Sequence, residues 1–375
     1  MNIVFLTRFN LHDVNCWSGT AYHIYHKLKE KHTIEIIGME VLTQFKLFQR
    51  ESFQRSTFIP TDRYTKKLGK LISERINRLN FDLLFFGDLL FLPLDIDIPV
   101  VFLSDMTFEQ VRLHYKKSDE RNIEPCINLE RLSLSTAFRI IYSSEWIKQK
   151  AVEVYNINPS KINVVEFGAN IPTPNNYSIE IDMDICRLVF IGTDWERKGG
   201  YKMLEIYRIL KQEGFPCTLT IIGSLPEDEP EDDENLTFIH FLDKTRKEHL
   251  EKLCDILSKS HFFVLPTKFD AFGIVFCEAS AFALPSITAN VGGVGQAVKE
   301  GKNGYLLPAD ATAKDYAEKI KTVFSDKENY LKLRRSSRNE FETRLNWDVW
   351  GERVNKILED AVEEWKGVKK LKTKN

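Results

Sequence analysis

The sequence predicts an α/β protein of two doubly wound, parallel-sheet domains facing a cleft. Three observations carry this. Short β-branched apolar runs such as "NIVFLT" and "HFFVLP" read as strands buried on both faces. Segments with apolar residues at three- and four-residue spacing alternate with these runs, which is the pattern of helices crossing over between parallel strands. The alternation stops once, at "IPTPNNYSIEIDMD", and then restarts, so that 375 residues divide into two domains.

In chain order, "NIVFLT" is a strand, "RFNLHDVNCWSG" a polar loop and "TAYHIYHKLKEK" a helix with Tyr22, Tyr25 and Leu28 on one side. "HTIEIIGM", "FDLLFFG" and "IPVVFLSD" are strands. "YTKKLGKLISERINRLN" is a helix whose apolar stripe is Leu68, Leu71, Ile72, Ile76 and Leu79. "FRIIYSS", "EWIKQKAVEVY" and "INVVEFGAN" continue the alternation as strand, helix and strand. After the linker come the strands "CRLVFIGT", "CTLTIIG", "LTFIHFL", "HFFVLPT" and "LPSITAN", with the helices "GGYKMLEIYRILKQEG", "KEHLEKLCDILSKS", "GIVFCEASAFA" and "DYAEKIKTVFS". A terminal helix runs from about Asn346 to Trp365, ahead of a basic tail, "KGVKKLKTKN". The expected domains are 1–172, 173–345 and a C-terminal helix, 346–375, returning to the first domain.

Composition narrows the functional classes. A net charge of −2 gives no bulk electrostatic pull on nucleic acid. Six cysteines, at 16, 126, 186, 217, 254 and 277, form no C-x-x-C pair and have no histidines at metal spacing, which fits a reducing cytosol. The opening "MNIVFLTRFN" lacks the basic start, apolar run and cleavage site of a signal peptide, and no apolar run has membrane-spanning length. "EPEDDEN" reads as an acidic surface loop.

In doubly wound sheets, ligands bind at the carboxyl ends of the strands. Three loops there hold candidate chemistry. In "WSGT", Gly19 and Thr20 open a helix whose N–H groups suit a phosphate or sugar; the plainer reading is a helix cap by Ser18 or Thr20. In "FIGTDWERKGGY", Gly192 and Thr193 end a strand, and Arg197 and Lys198 precede a glycine pair that opens a helix. Two cations there can hold a diphosphate, or form a solvated basic turn. In "FDAFGIVFCE", Asp270 and Glu278 have seven residues between them, and Phe272, Gly273 and Ile274 offer N–H groups at a helix start. Asp270 as a cap and Glu278 as a surface residue is the alternative, but the apolar setting of Glu278 asks for a partner, for which a ligand hydroxyl is suited. "ITANVGGVGQAV" adds Gly292, Gly293 and Gly295 after a strand, without the G-x-G-x-x-G dinucleotide spacing.

Together these loops resemble the retaining glycosyltransferases of the GT-B fold, most closely glycosyltransferase family 4. "DAFGIVFCEASAFALPSITANVGG" is similar to that family's two acids separated by seven residues, with Asp270 in place of the usual Glu and Leu284 in place of the Gly before Pro. "GTDWERKGG" resembles its G-R-L-x-x-x-K-G, with Lys198 at the Lys, Thr193 at the usual Arg and Arg197 able to supply that charge. In "VFLSDMTF", Ser104 and Asp105 stand where relatives often have His then Asp. "NWDVWGERV" resembles the helix that crosses back in this fold, and the strongest part of the likeness runs from Phe190 to Gly304.

The resemblance implies two Rossmann-like domains. It implies a nucleotide-diphosphate sugar as donor, UDP-linked ahead of GDP-linked, with no cofactor and no metal. Glu278 would bind ribose hydroxyls, Asp270 the sugar, and Arg197 and Lys198 the diphosphate, with the acceptor a glycan, a lipid-linked or another surface-polysaccharide chain. Asp105 is the residue that could act as a base. Rival readings are a nucleotide-sugar epimerase of the same fold and an inactive nucleotide-sugar-binding protein. A cytoplasmic location is expected. The basic helix 64–80, with Lys66, Lys67, Lys70, Arg75 and Arg78, suits either an anionic membrane or plain solvent.

Overall fold

In a computed structural model, two parallel sheets, of six strands each among the described residues, organise the chain. The structure describes residues 1–38, 62–87, 92–115, 123–174, 177–224 and 233–372. The chain divides into two compact units, residues 1–165 with 350–375, and residues 166–349.

The first unit orders its strands β2-β1-β3-β4-β5-β6, all parallel. They are β1 (Asn2–Leu6), β2 (Thr33–Ile37), β3 (Leu83–Gly87), β4 (Val100–Ser104), β5 (Arg139–Tyr142) and β6 (Ile162–Val164). Strands β1, β3, β4 and β5 are buried along nearly their whole length, as a sheet covered by helices on both sides requires, while the edge strands β2 and β6 are only partly buried. Helix α1 (Thr20–Lys29) buries Ala21, Ile24, Tyr25 and Leu28. Helix α2 (Asp62–Asn77) buries Leu68, Ile72 and Ile76 against β1, β3 and β4, each contributing about 1.5–3 kcal/mol. Leu79, expected on that stripe, is 46% exposed because the helix ends at Asn77.

Helices α3 (Phe108–Tyr115) and α4 (Ile123–Thr136) fill a stretch whose periodicity carried no expectation. Helix α5 (Glu145–Tyr155) is capped by Ser144, which accepts from the Ile147 N–H, and stops at Asn156 in the left-handed region. Residues 350–372 belong to the last helix, α13 (Trp347–Lys372). It joins this unit through Asn355 to His32, 2.9 Å, Arg353 to the Val164 carbonyl, 2.7 Å, and Lys369 to Asp97, 2.5 Å. The residues expected as a basic tail are therefore helical as far as Lys372.

The second unit orders its strands β12-β11-β10-β7-β8-β9. These are β7 (Cys186–Gly192), β8 (Cys217–Gly223), β9 (Leu236–Ile239), β10 (Phe262–Leu265), β11 (Ser286–Ala289) and β12 (Gly304–Leu307). The first strand of the unit thus lies beside the fourth, and the winding direction reverses between β7 and β10. In doubly wound sheets the carboxyl ends of the strands at such a reversal are where ligands bind. The helices are α6 (Trp195–Lys198), α7 (Gly200–Gln212), α8 (Lys247–Lys259), α9 (Ile274–Ala281), α10 (Val294–Ala297), α11 (Ala313–Ser325) and α12 (Lys327–Thr343).

Helix α12 was not expected, because several of its buried positions are polar. Arg334, 1% exposed, donates to the carbonyls of Ile179 and Ser178, and Arg338 donates to that of Ala281. Most of the acidic segment 229–235 lies outside the described residues. No helix among the described residues is long and apolar enough to cross a membrane.

Candidate functional site

The loops after β7 and β10 flank the reversal of the second sheet, and they interlock. Asp194 opens the first loop, accepting from the Arg197 N–H at 3.1 Å and from Arg197 Nε at 3.0 Å. Burial opposes the Asp194 charge, but these hydrogen bonds prevail and hold its carboxyl below the usual range. One short helical turn then brings Arg197 and Lys198 to the end of the strand.

Gly199, at φ +82°, ends that turn, and a side chain there would fall on the Pro266 carbonyl oxygen. Only glycine allows the two loops to approach this closely. Thr267, 2% exposed, donates to the carbonyls of Arg197, 3.2 Å, and Phe269, 3.0 Å, while the Lys268 N–H donates to Arg197 O at 2.8 Å.

This framework gathers three of the expected residues. Lys198 Nζ lies 2.8 Å and 3.0 Å from the two Asp270 oxygens. Arg197 Nη1 is 3.6 Å from Asp270 Oδ1 and donates to the Phe269 carbonyl at 2.9 Å. Side-chain exposures of 12% for Lys198 and 10% for Asp270 make this a largely desolvated pair, in which either charge left alone would be costly. Gly192 is where the Lys198 stem passes: a β-carbon there would lie 3.0 Å from Lys198 Cβ and Cγ. Thr193 is exposed, and its carbonyl accepts from Ser224 at 2.5 Å.

The glycine loop after β11 supports Asp270 from behind. The Gly293 N–H donates to the Asp270 carbonyl at 3.0 Å. Gly292 has φ +54°, and an added side chain would meet the Asp270 backbone and lie 2.9 Å from the Phe269 ring.

Glu278 forms a separate pair. It sits in α9, 2% exposed, so the surface reading is excluded. Its protein partner is Lys244, whose Nζ lies 2.5 Å from Oε1. The expected ligand hydroxyl is thus not the only candidate partner for this carboxylate, and Lys244 is a residue that the sequence reading missed. Nothing in chain spacing could reveal it, because the pair spans 34 positions and two elements.

The cap of α9 is Gly273, at φ +88° and with no side-chain bond, so Asp270 is not the cap. Phe272 is buried and packs edge-on against Phe167, while Ile274 begins the helix half-buried. The first N–H groups of the helix, beginning with Ile274, have no partner within it.

In the first unit, Gly19 itself caps α1 at φ +92° with no side-chain bond, so neither Ser18 nor Thr20 acts as the cap. Thr20 is 1% exposed. Asp105 follows β4 and accepts from Trp17 Nε1 at 3.3 Å, which ties the loop after β1 to the loop after β4. Among the described residues, no group of three His, Cys, Asp or Glu is placed to hold a metal ion.

Residues 178–340 match the family model described as Glycosyl transferases group 1. The chain is 24% identical over 249 residues to the capsular polysaccharide biosynthesis glycosyltransferase CapM of Staphylococcus aureus, covering 62% of this chain and 65% of the relative. It is 27% identical over 181 residues to spore coat protein SA of Bacillus subtilis, covering 46% and 48%. The chain therefore spans less than two-thirds of the length of either relative.

Whole-chain likeness is structural. A glycosyltransferase from Rickettsia africae superposes with TM-score 0.66 at 14% identity, covering 96% of this chain and 98% of that one. Anabaena HepE in complex with UDP and glucose gives 0.62 at 14% identity, covering 96% and 100%. Residues 178–340 carry the family match, and over the whole chain the likeness is one of fold, that of the GT-B glycosyltransferase structures with their parallel-sheet units.

Proposed function

We propose that the protein is a retaining, metal-independent glycosyltransferase that moves a sugar from a nucleoside-diphosphate sugar to a glycan, lipid-linked or other surface-polysaccharide acceptor. The observation that carries this reading is the cluster of Lys198, Arg197 and Asp270 at the carboxyl ends of β7 and β10.

Two cations and a carboxylate held together suit a ligand carrying anionic and hydroxyl groups side by side. A sugar bonded to a diphosphate is such a ligand. Lys198 and Arg197 would take the diphosphate and Asp270 the sugar hydroxyls. Gly192 and Thr193 on one loop, and the N–H groups of Phe272, Gly273 and Ile274 on the other, would border the phosphates. Glu278 would take the ribose.

Negative charge grows on the diphosphate as the sugar–oxygen bond breaks. Fixed cations therefore bind the transition state better than the ground state. With both cations supplied by side chains, the leaving phosphate can itself accept the proton of the incoming hydroxyl, on the face of the sugar that it vacates, and the configuration is kept. Gly19 and Thr20 would add contacts to the donor, and Asp105 would be the residue available as a base.

A UDP-sugar is favoured as donor, in line with the UDP and glucose named for HepE, and a surface-polysaccharide acceptor is in line with the name of CapM. The test is a thermal-shift screen of nucleotides and nucleotide sugars, followed by an assay for nucleoside diphosphate released from the best binder. A raised midpoint with UDP or GDP, and release of that diphosphate, is expected. Binding without any turnover would return the protein to the binding class.

A further inference from the structure

Lys244 takes no part in any role assigned above, yet it is the residue that meets Glu278. It projects from the turn between β9 and α8, and that turn is rigidly made. The Thr245 N–H and hydroxyl both donate to Asp243 Oδ1, at 2.9 and 2.8 Å. The Asp243 N–H donates to His249 Nδ1 at 3.1 Å, and the Arg246 N–H to the Asp243 carbonyl at 3.1 Å. A side chain presented from such a turn starts from a fixed base.

Lys244 is 23% exposed and reaches inward to a carboxylate that is 2% exposed. Its bond goes to one oxygen, Oε1, and no hydrogen bond to Oε2 is found among the described residues. Cys254 on α8 lies close enough to sense both charges: burial and Glu278 raise its thiol, and Lys244 opposes them.

We propose that Lys244 is a positioning residue for the nucleoside: it holds Glu278 by Oε1 and leaves Oε2 to accept from vicinal ribose hydroxyls. This rests on the reading of Glu278 as the ribose partner. Two properties follow. The ammonium offsets the cost of burying the carboxylate, and a charge-assisted bond to a hydroxyl is stronger than one between neutral groups. It also fixes the carboxylate plane, so that a ribonucleotide binds without first ordering the side chain. Lys244 thereby contributes to telling a ribonucleotide from a deoxy analogue while lying outside the reacting centre.

The experiment is calorimetric titration of UDP, GDP and their 2′,3′-dideoxy forms into the wild type, Lys244→Met, Lys244→Arg and Glu278→Gln, with donor KM and kcat measured alongside. The wild type should prefer the ribo form, and Lys244→Met should lose about tenfold of that preference. Its KM for the donor should rise by a similar factor while kcat stays within about threefold, because binding is lost uniformly. Lys244→Arg should restore the preference, since it keeps the charge and the donor.

A Lys244→Met protein with the wild-type preference overturns the role of Lys244 alone. A wild type without preference, or a Glu278→Gln variant that keeps it, overturns the ribose reading and this proposal with it. If Lys244→Met does not fold, Glu278→Gln is compared with the double variant, which leaves no unpaired buried charge. Equal UDP affinities for these two are expected, and a further loss in the double variant would show that Lys244 acts other than through Glu278.

Discussion

Lys198 Nζ bonds both oxygens of Asp270, at 2.8 and 3.0 Å, across a gap of 72 positions in the chain. The pair joins the loops of the two strands at which the second sheet reverses its winding, and Arg197 stands beside it.

Lys198→Ala should lower turnover by about a hundredfold or more, and donor affinity much less, because the ammonium matters most when the leaving group is fully anionic. Steady-state kinetics beside donor titration separate the two effects. Equal losses in both would reduce Lys198 to a docking residue.

Transfer should survive a chelator, and the product should keep the anomeric configuration of the donor. The product's anomeric proton, read by NMR with and without chelator, checks both. An inverted product would move the chemistry to Asp105 as base. Activity lost to chelator and restored by magnesium would remove the diphosphate from the two cations.

Gly292→Ala should impair the site through the backbone. At φ +54° a β-carbon costs about 1 kcal/mol, and here it also meets the Asp270 backbone. A drop of about 2 kcal/mol in unfolding free energy, with weakened donor binding, is expected. A variant with unchanged urea midpoint and affinity would show that the loop after β11 does not support Asp270.

His261 should make the second unit acid-sensitive. The ring is fully buried, its Nδ1 accepts from the Arg187 N–H at 2.9 Å and its Nε2 bonds the Asp182 carbonyl at 2.7 Å. Burial, with Arg187 beside it, lowers its pKa to about 4. The unfolded chain takes up the proton near pH 6.5 and the folded one does not until about 4, so stability is complete above 6.5 and falls as pH drops toward 4. The loss is on the order of 3 kcal/mol. Urea unfolding of the wild type and His261→Gln between these pH values reads it, and parallel curves would rule it out.

Glu130 should act in the opposite sense in the first unit. Burial raises its carboxyl to about 8, although it accepts from the Phe108 N–H at 2.9 Å. The folded state then keeps a proton that the unfolded state releases near 4.5, so this contribution is complete below 4.5 and is lost as pH rises toward 8. Glu130→Gln should remove that slope. A wild type as stable at pH 9 as at pH 6 would contradict it.

Much of the fold was legible because parallel strands buried on both faces leave unbroken apolar runs, as at Leu83–Gly87 and Phe262–Leu265. Helix α12 was not, since its inward positions include Arg334 and Arg338, whose charged heads are satisfied by carbonyl oxygens and whose pattern reads as solvent-facing. In the site, Arg197, Lys198 and Asp270 could be chosen from their places after strands, and the structure brings them together. Lys244 could not, because an ion pair between distant elements leaves no periodic trace. Asp194 and Thr267 escaped for a related reason: their work is to bond backbone, for which any turn residue looks suitable.

The mutual anchoring of the loops after β7, β10 and β11 has a consequence for engineering. Arg197 bonds the Phe269 carbonyl, Thr267 bonds the Arg197 carbonyl, and Gly293 bonds the Asp270 carbonyl. The three segments are therefore a single inheritable cassette. The loop after β10 is the shared partner of the other two, so grafting it alone would disturb both sets of bonds and grafting either neighbour would disturb one; chimeras made to change donor choice should exchange residues 193–199, 266–273 and 290–293 as a set.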